Sequence, residues 1–235
     1  MHPTAMTHGS LFFQTYAVKL PSGVVVDIGA QDVNGSLKTV CPPNCKYVGV
    51  DFVAGKGVDV VLQDPYQLPF EDGSIDIVVS SSCFEHSEMF WVLFLEILRI
   101  LKPSGLFYLN VPSNGSFHRY PVDCWRFYPD SGNALVAWAK RNKYSSVLLE
   151  SFTGRQSRTG NMGMDEWNDY VAVFLKDAEL ISHFPDRMIH RHRLFDNGYC
   201  HGSDNFLNRQ PHPEDRLKFL NLIQKIDTFI TSLKG

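Results

Sequence analysis

The sequence predicts an α/β fold in which a mostly parallel sheet is covered on both faces by helices. Short, continuously apolar runs, which are typical of buried parallel strands, alternate along the chain with helical and loop segments. Two longer segments, residues 90–101 and 131–141, have helical patterns. The expected strands are residues 24–28, 47–51, 58–62, 75–80, 106–110, 147–152 and 170–176.

Proline and glycine set the boundaries between these elements. Pro42 and Pro43 end a short helical segment that opens at residue 37. Residues 71–74 form a turn before the fourth strand, and residues 102–105 stop the first long helix and turn into the fifth strand.

The chain divides into three regions. Residues 1–22 are an N-terminal leader that packs as a short helix over an edge of the sheet, and residues 23–176 are the main domain. Residues 177–235 are rich in His and Arg and end in an amphipathic helix over residues 213–233. We expect this helix to cap the domain; the alternative is a homo-oligomer that pairs through it. Its apolar positions are Leu217, Leu220, Ile223, Ile226 and Ile230.

Composition excludes several partners. The formal net charge of -3 and the lack of a basic block argue against nucleic acid. The longest apolar stretch, residues 90–101, is too short to span a bilayer and contains Glu96 and Arg99, so no membrane partner is expected. Five cysteines without framework spacing, and no signal peptide before them, predict free thiols in the cytoplasm.

Acids and glycines lie where consecutive strands end. Asp27 lies in the first strand, and Gly29 and Gly35 bound the tight loop after it. Asp51 ends the second strand, and Asp64 follows the third. Ligands bind at the carboxyl ends of parallel strands. We therefore expect Asp51 to accept hydrogen bonds from ribose hydroxyls and Asp64 to accept one from an adenine amino group.

The loop after the first strand also discriminates between cofactors. A dinucleotide site uses G-x-G-x-x-G to hold a pyrophosphate. This loop lacks the middle glycine and carries Asp27 and Asp32, which repel a pyrophosphate but suit the sulfonium and ammonium of S-adenosylmethionine. A nicotinamide oxidoreductase is therefore disfavoured. The other expected cofactor contacts are Ala30, Gln31, Phe52, Pro65, Ser80 and Ser81.

In order and spacing, these motifs resemble the class I S-adenosylmethionine-dependent methyltransferases with a type 11-like domain. VDIG at residues 26–29 with Gly35 resembles their first motif, and Asp51 their ribose-binding acid. Asp64 resembles the acid of their adenine-side motif. Three later segments fit as well: FEDGSIDIVVS at 70–80, FEH at 84–86 and LRILKPSGL at 98–106.

The resemblance covers about residues 20–176. It implies a Rossmann-like, doubly wound sheet of seven strands with an antiparallel last strand. It also implies methyl transfer from S-adenosylmethionine, which leaves S-adenosylhomocysteine as the product. The sequence departs from the family at Gln31, where the second glycine usually stands.

The polar and aromatic stretch at residues 110–129 is the expected acceptor-binding segment. It resembles the H-x-x-P-x-D-x-x-R-F stretch of methyltransferases associated with saccharide modification, which implies a small-molecule or saccharide acceptor. His118 is the candidate general base and Asp123 the residue that orients it. Alternatively, they form a structural network with Arg126. The expected acceptor contacts are His86, Arg119, Tyr120, Trp125 and Arg126, although His86 has the alternative of capping or packing.

One alternative function stays open, and no metal site is predicted. A non-catalytic S-adenosyl-binding module or scaffold would keep the same acids at the strand ends. Cys41 and Cys45, and the histidines between residues 183 and 212, lack the paired spacings that zinc sites use.

Overall fold

The computed structural model describes residues 3–18, 20, 22–155, 167–211 and 213–232, without the side chains of residues 214, 215, 217 and 218. The strands are β1 (Val24–Ile28), β2 (Lys46–Asp51), β3 (Val60–Val61), β4 (Ile75–Ser81), β5 (Leu101–Pro112), β6 (Val147–Gly154), β7 (Asp169–Leu175) and β8 (Phe195–Cys200). The α-helices are α1 (Pro3–Phe12), α2 (Phe90–Ile100), α3 (Ser131–Arg141) and α4 (Glu214–Ser232). A π-helical segment, Phe13–Ala17, continues α1, and short 3-10 segments are Leu37–Thr39, Phe84–His86, Ala178–His183 and Met188–His190.

The strands form one sheet in the order β3-β2-β1-β4-β5-β7-β6-β8. Strands β1 to β5 are mutually parallel, and β7 runs antiparallel to both of its neighbours. The chain therefore moves outward from β1 in one direction to β3 and then in the other direction to β5. This reversal opens a crevice at the carboxyl ends of β1 and β4. The predicted doubly wound α/β class with an antiparallel strand is confirmed.

Three details differ from the prediction. The sheet has eight strands, because β8 pairs with the outer edge of β6. Strand β8 contains Asp196, Asn197 and Gly198, so it lacks the apolar run that marks the other strands. The turn predicted at residues 102–105 lies within β5, where the register against β4 shifts between Ile75 and Ile77. Strand β3 is shorter than expected, with two residues.

Both faces of the sheet are buried, as a parallel sheet requires. Helices α2 and α3 cover one face, where Phe94 of α2 packs against Phe107 and Phe174. The leader covers the other face, where Phe12 of α1 contacts Tyr108 of β5 at 4.7 Å between ring centroids. The expected N-terminal helix is present, but it lies over a strand in the middle of the sheet instead of over an edge.

The terminal helix α4 does not cap the domain. Its described side chains from Phe219 onward are exposed, including Phe219 at 62% and Phe229 at 63%. The expected packing of this helix is therefore wrong for the part of it that the structure describes, and Leu233 lies outside the described residues. Within the described ranges, none of the helices combines the length and the hydrophobicity of a membrane-spanning segment.

Candidate active site

The loop after β1 is fixed against the end of β2. The backbone N–H groups of Gly29 and Ala30 both donate to the Val50 carbonyl, at 2.9 and 3.1 Å. Gly29 has a φ of +80°, and a Cβ there would lie 2.6 Å from the Cβ of Cys83. Only glycine fits this position without strain. The predicted glycine turn is thus present at the carboxyl end of β1.

Asp51 lies at the end of β2, beside that loop. Its carboxylate accepts hydrogen bonds from the backbone N–H groups of Gln31, at 3.3 Å, and Val53, at 3.1 Å. A carboxylate has about four lone-pair positions, so two of them are left for further donors. The residue is partly exposed. The geometry suits an acceptor for the hydroxyls of a ribose.

Asp27 is a buried acid under the same loop. Its Oδ2 accepts a hydrogen bond from the Tyr47 hydroxyl at 2.5 Å. Burial raises the pKa of Asp27 to about 7, against the lowering effect of the Tyr47 hydrogen bond and with a smaller contribution from the charge of Asp51. A neighbouring cation would favour the ionised form.

Asp32, the second acid near this loop, forms its contacts with neighbouring residues of the protein. Asp32 accepts a hydrogen bond from the Gly35 N–H at 2.8 Å and pairs with Lys56 at 2.6 Å. Hydrogen bonding from Lys56 and Gly35 lowers the pKa of Asp32. Gly35 has a φ of +126°, which an L side chain rarely adopts. Asp32 therefore shapes the loop, and its charge already has a partner.

The expected base-binding residues lie at the ends of β2 and β3. Asp64 accepts a hydrogen bond from the Tyr66 N–H at 2.8 Å, which makes a turn after β3. Phe52 is 49% exposed, and Pro65 is exposed beside Asp64. Their apolar surfaces are thus available at the positions where the sequence predicts an adenine.

Two predicted cofactor residues of β4, Ser80 and Ser81, are buried. Ser80 is fully buried, and its hydroxyl donates to the Ile28 carbonyl at 3.0 Å. The Ser81 hydroxyl accepts a hydrogen bond from the Asn110 amide at 3.5 Å. Both hydroxyls hold β4 to neighbouring strands, so their contribution to a cofactor site stays a prediction.

Residues 113–130, which we name the acceptor loop, contact the loop that follows β1. The Tyr120 hydroxyl donates to the Gln31 Oε1 at 2.7 Å. The Trp125 indole donates to the Ser87 carbonyl at 2.9 Å, and the Cys124 N–H donates to the Glu85 carbonyl at 2.8 Å. Arg119 is exposed. The structure thus brings Tyr120 next to Gln31 of the predicted cofactor site, whereas the Trp125 ring packs against Phe90 and Trp91 of α2.

Asp123 is the centre of a polar network in this loop. Its two oxygens accept hydrogen bonds from both terminal nitrogens of Arg126, at 2.6 and 2.8 Å. It also accepts the His118 N–H at 2.7 Å, and the His118 Nδ1 lies 3.4 Å from it. The Arg126 hydrogen bonds hold the pKa of Asp123 at about 2. The structural network and the oriented imidazole are therefore both present.

Two histidines and a buried acid meet beneath the acceptor loop. The rings of His86 and His118 are 4.8 Å apart between centroids and nearly perpendicular. Glu85 is 1% exposed, and burial raises its pKa to about 8. Sequence reasoning identified both histidines but missed Glu85, although the Glu-His pair after β4 was a visible signal.

These features define an open α/β sheet whose strand ends carry a glycine loop and acids suited to a nucleoside. Residues 27–109 match a family model described as a methyltransferase domain. The predicted resemblance to the class I S-adenosylmethionine-dependent methyltransferases is confirmed over these residues.

Similar proteins match parts of the chain. Phthiotriol/phenolphthiotriol dimycocerosates methyltransferase of Mycobacterium tuberculosis is 30% identical over 96 residues, which cover 39% of this chain and 32% of that protein. The match therefore spans about a third of the length of this curated relative.

Two solved structures share the fold. One is a Burkholderia thailandensis 1,6-didemethyltoxoflavin-N1-methyltransferase with bound 1,6-didemethyltoxoflavin and S-adenosylhomocysteine. It has a TM-score of 0.51 and 17% identity, and the match covers 74% of this chain and 78% of that one. The other, the cyclase SpnF, has a TM-score of 0.54 and 12% identity, with coverage of 73% and 81%. At these identities the likeness concerns the fold alone.

Proposed function

We propose that this protein is a methyltransferase that uses S-adenosylmethionine to methylate a small-molecule or saccharide acceptor. The observation that carries the proposal is the position of Asp51, which lies at the end of β2 beside the glycine turn with accepting capacity left. Asp51 and the glycine turn both lie in the segment that matches a methyltransferase domain.

The residues fit this cofactor chemically. Asp51 offers oxygens to ribose hydroxyls, and Phe52 and Pro65 offer apolar surface to a base. Asp27 is a buried acid that forms no salt bridge within the described part of the chain, and a cationic amino-acid group would favour its ionised form. No cluster of glycines for a pyrophosphate accompanies them, which disfavours a dinucleotide.

S-adenosylmethionine supplies an electrophilic methyl group on a sulfonium when it is bound. The task of the chain is to align a nucleophile with that carbon and to exclude water. The acceptor loop contributes to both tasks. The hydrogen bond from Tyr120 to Gln31 holds the loop against the predicted cofactor site, and the Tyr120 ring offers an aromatic face that attracts a cation.

Within this proposal, His118 is the catalytic residue that accepts the proton of the acceptor's nucleophile. Asp123 is a positioning residue, because its carboxylate is occupied by Arg126 and by the His118 N–H. The remaining proposed acceptor contacts are His86, Arg119, Tyr120, Trp125 and Arg126.

The identity of the acceptor does not come from the similar proteins. One is named for a mycobacterial lipid and another for a toxoflavin precursor, so their acceptors differ from each other. The family match ends at residue 109, before the acceptor loop begins. The saccharide proposal therefore depends on the motif at residues 118–127.

A second candidate is an S-adenosyl-binding module that does not transfer a methyl group. The cyclase SpnF supports this second candidate, because it shares the fold but is named for a reaction other than methyl transfer. The same binding site serves either function, so only turnover separates them.

Calorimetric titration with S-adenosylhomocysteine, with NAD in parallel, tests the cofactor. Micromolar binding of the first alone is expected, and binding of NAD alone would overturn the proposal. Turnover is then measured on a panel of saccharides and small hydroxylated compounds. We expect His118→Ala to keep the affinity for S-adenosylhomocysteine and to lose at least about ten-fold in kcat. Full activity of that variant would refute the role of His118.

A further inference from the structure

The side chains of Glu85, His86 and His118 form a cluster of metal-ligating groups between the acceptor loop and the end of β4. Each offers one oxygen or nitrogen, and these three atoms all lie within 4.8 Å of one another. The Glu85 Oε1 and the His86 Nε2 are 3.8 Å apart. We propose that this cluster binds a divalent first-row transition-metal ion.

The hydrogen bonds around the two imidazoles favour the tautomer in which Nε2 has a free lone pair for a metal. The His86 Nδ1 lies 2.5 Å from the Val122 carbonyl, which only accepts, so this nitrogen carries the proton and donates. The Nε2 of His86 therefore keeps its lone pair on the side of Glu85. The His118 Nδ1 lies 3.4 Å from the Asp123 carboxylate, which favours the same tautomer. Metal-binding histidines commonly donate their second N–H to a carbonyl or carboxylate in this way.

The environment of Glu85 is a second observation, independent of the distances, that indicates a bound cation. It is 1% exposed, and its Oε2 is buried without a hydrogen-bond partner among the described residues. A buried, unpaired carboxyl oxygen is costly, and a cation that both oxygens of this carboxylate coordinate would satisfy it. The residue is held in place by its backbone, since its carbonyl accepts the N–H groups of Cys124 and Trp125.

The ligand set indicates the kind of ion. Two imidazoles and one carboxylate suit zinc, iron, cobalt and similar ions, and three protein ligands leave a position for water or substrate. With bonds of about 2.1 Å, two ligands of one ion are at most about 4.2 Å apart. The pair of Glu85 and His86 already meets this limit. His118, whose side chain is 40% exposed on the acceptor loop, completes the set by a movement of about 1 Å.

This inference deepens the proposed function and rests on it for its role in catalysis. Glu85, His86 and His118 would hold the ion, and a bound ion would lower the pKa of an acceptor oxygen at its open position, so that this oxygen would release its proton to water before it attacks the methyl group. His118 would then act as a ligand, and no proton acceptor on the chain would be needed. Such a site selects acceptors that present a hydroxyl or carboxylate oxygen.

Cobalt is the probe of choice, because Co²⁺ gives visible absorption bands that depend on its coordination. The full chain, stripped of metal with a chelator, is titrated with Co²⁺ and then with Zn²⁺ as competitor. We expect one equivalent of Co²⁺ to bind with a Kd of about 1 µM or tighter. Glu85→Gln and His118→Gln are each expected to weaken binding at least about ten-fold. His183→Gln, which removes an exposed histidine outside the cluster, is the matched control and is expected to bind like the parent.

The outcomes separate this inference from the proposed function. The affinity for S-adenosylhomocysteine and the unfolding midpoint of each variant, both measured on the metal-free protein, report the cofactor site and the fold. Equal Co²⁺ affinity in the parent and in either ligand variant overturns the site. Absence of binding at about 100 µM Co²⁺ does so too. Near-ultraviolet bands from a thiolate would place the ion on one of the five cysteines and also overturn it.

Discussion

The Tyr120 hydroxyl donates a hydrogen bond to the Gln31 side chain, at 2.7 Å, across a sequence separation of 89 positions. This contact joins the acceptor loop to the loop that follows β1. Gln31 stands where the resembled family usually has a glycine, and a glycine would offer no side-chain oxygen here. The departure from the family pattern therefore provides a connection between the two halves of the candidate site.

Tyr120→Phe removes only the donor of that contact. We expect the Kd for S-adenosylhomocysteine to rise about five-fold, because a hydrogen bond between exposed groups contributes about 1 kcal/mol. Calorimetry on Tyr120→Phe, Gln31→Ala and the double variant measures the coupling between the two side chains. Tyr128→Phe, an exposed tyrosine of the same loop, is the control. Additive effects of the two substitutions would contradict the proposed connection.

Asp51→Ala tests the ribose assignment. Losing a charged acceptor for two hydroxyls is expected to weaken the binding of S-adenosylhomocysteine about ten-fold or more. Asp204→Ala removes an exposed acid of the C-terminal region and serves as a control for net charge. An unchanged affinity in Asp51→Ala, with an unchanged unfolding midpoint, would rule out this role.

Asp27 predicts a pH dependence of stability in the cofactor-free protein. Its pKa is about 7 in the folded protein and 3.8 ordinarily, so the folded state binds more protons between these values. The stabilisation is complete below about pH 4 and is lost as the pH rises towards 7. Between pH 5 and pH 8, the free energy of unfolding is expected to fall by about 2 kcal/mol more in the parent than in Asp27→Asn. Urea unfolding measures the difference, and parallel pH profiles would refute it.

The same acid predicts proton release on binding. A cationic group beside Asp27 favours its ionised form, so binding of S-adenosylhomocysteine at pH 6 is expected to expel a fraction of a proton. Calorimetry in two buffers of different ionisation enthalpy counts this proton. Asp27→Asn provides the comparison. An identical proton count in both proteins would show that Asp27 does not change its ionisation when the ligand binds.

Tyr16→Phe tests the attachment of the leader. The buried Glu150 accepts hydrogen bonds from the Tyr16 hydroxyl and from the N–H groups of Met188 and Ile189. Removing the hydroxyl from this buried carboxylate is expected to lower the free energy of unfolding by about 1–3 kcal/mol. Urea denaturation measures the loss, with Tyr128→Phe as the exposed control. The affinity for S-adenosylhomocysteine is expected to stay the same.

Elements whose ends are set by local sequence signals were predicted correctly. The bounds of β1 and α3 agree with the prediction to the residue, since Gly29 ends a β-branched run that only Asp27 interrupts and α3 begins directly after Asp130. Strand β8 was missed because edge pairing with β6, and not an apolar pattern, makes it a strand. The exposure of α4 was missed as well, because an apolar stripe indicates burial but does not identify the surface that covers it.

Part of the candidate site was likewise predictable from the sequence, and part was not. Asp51 was placed correctly at the end of β2, because the topology of a parallel sheet puts strand ends at one edge. The approach of Glu85 to His118 depends on how the acceptor loop folds back over β4 after the chain has passed through α2 and β5. Such a contact depends on main-chain hydrogen bonds that no local pattern encodes.

The acceptor loop is fastened at its ends by main-chain atoms. The Ser113 N–H donates to the Asn168 carbonyl at 2.7 Å, and the Phe127 N–H donates to the Pro112 carbonyl at 3.0 Å. Main-chain bonds of this kind do not require particular side chains, so the residues between the two anchors are able to change without loosening the sheet. This separation offers a route to diversification, in which the choice of substrate drifts over generations while the cofactor half of the molecule is inherited unchanged.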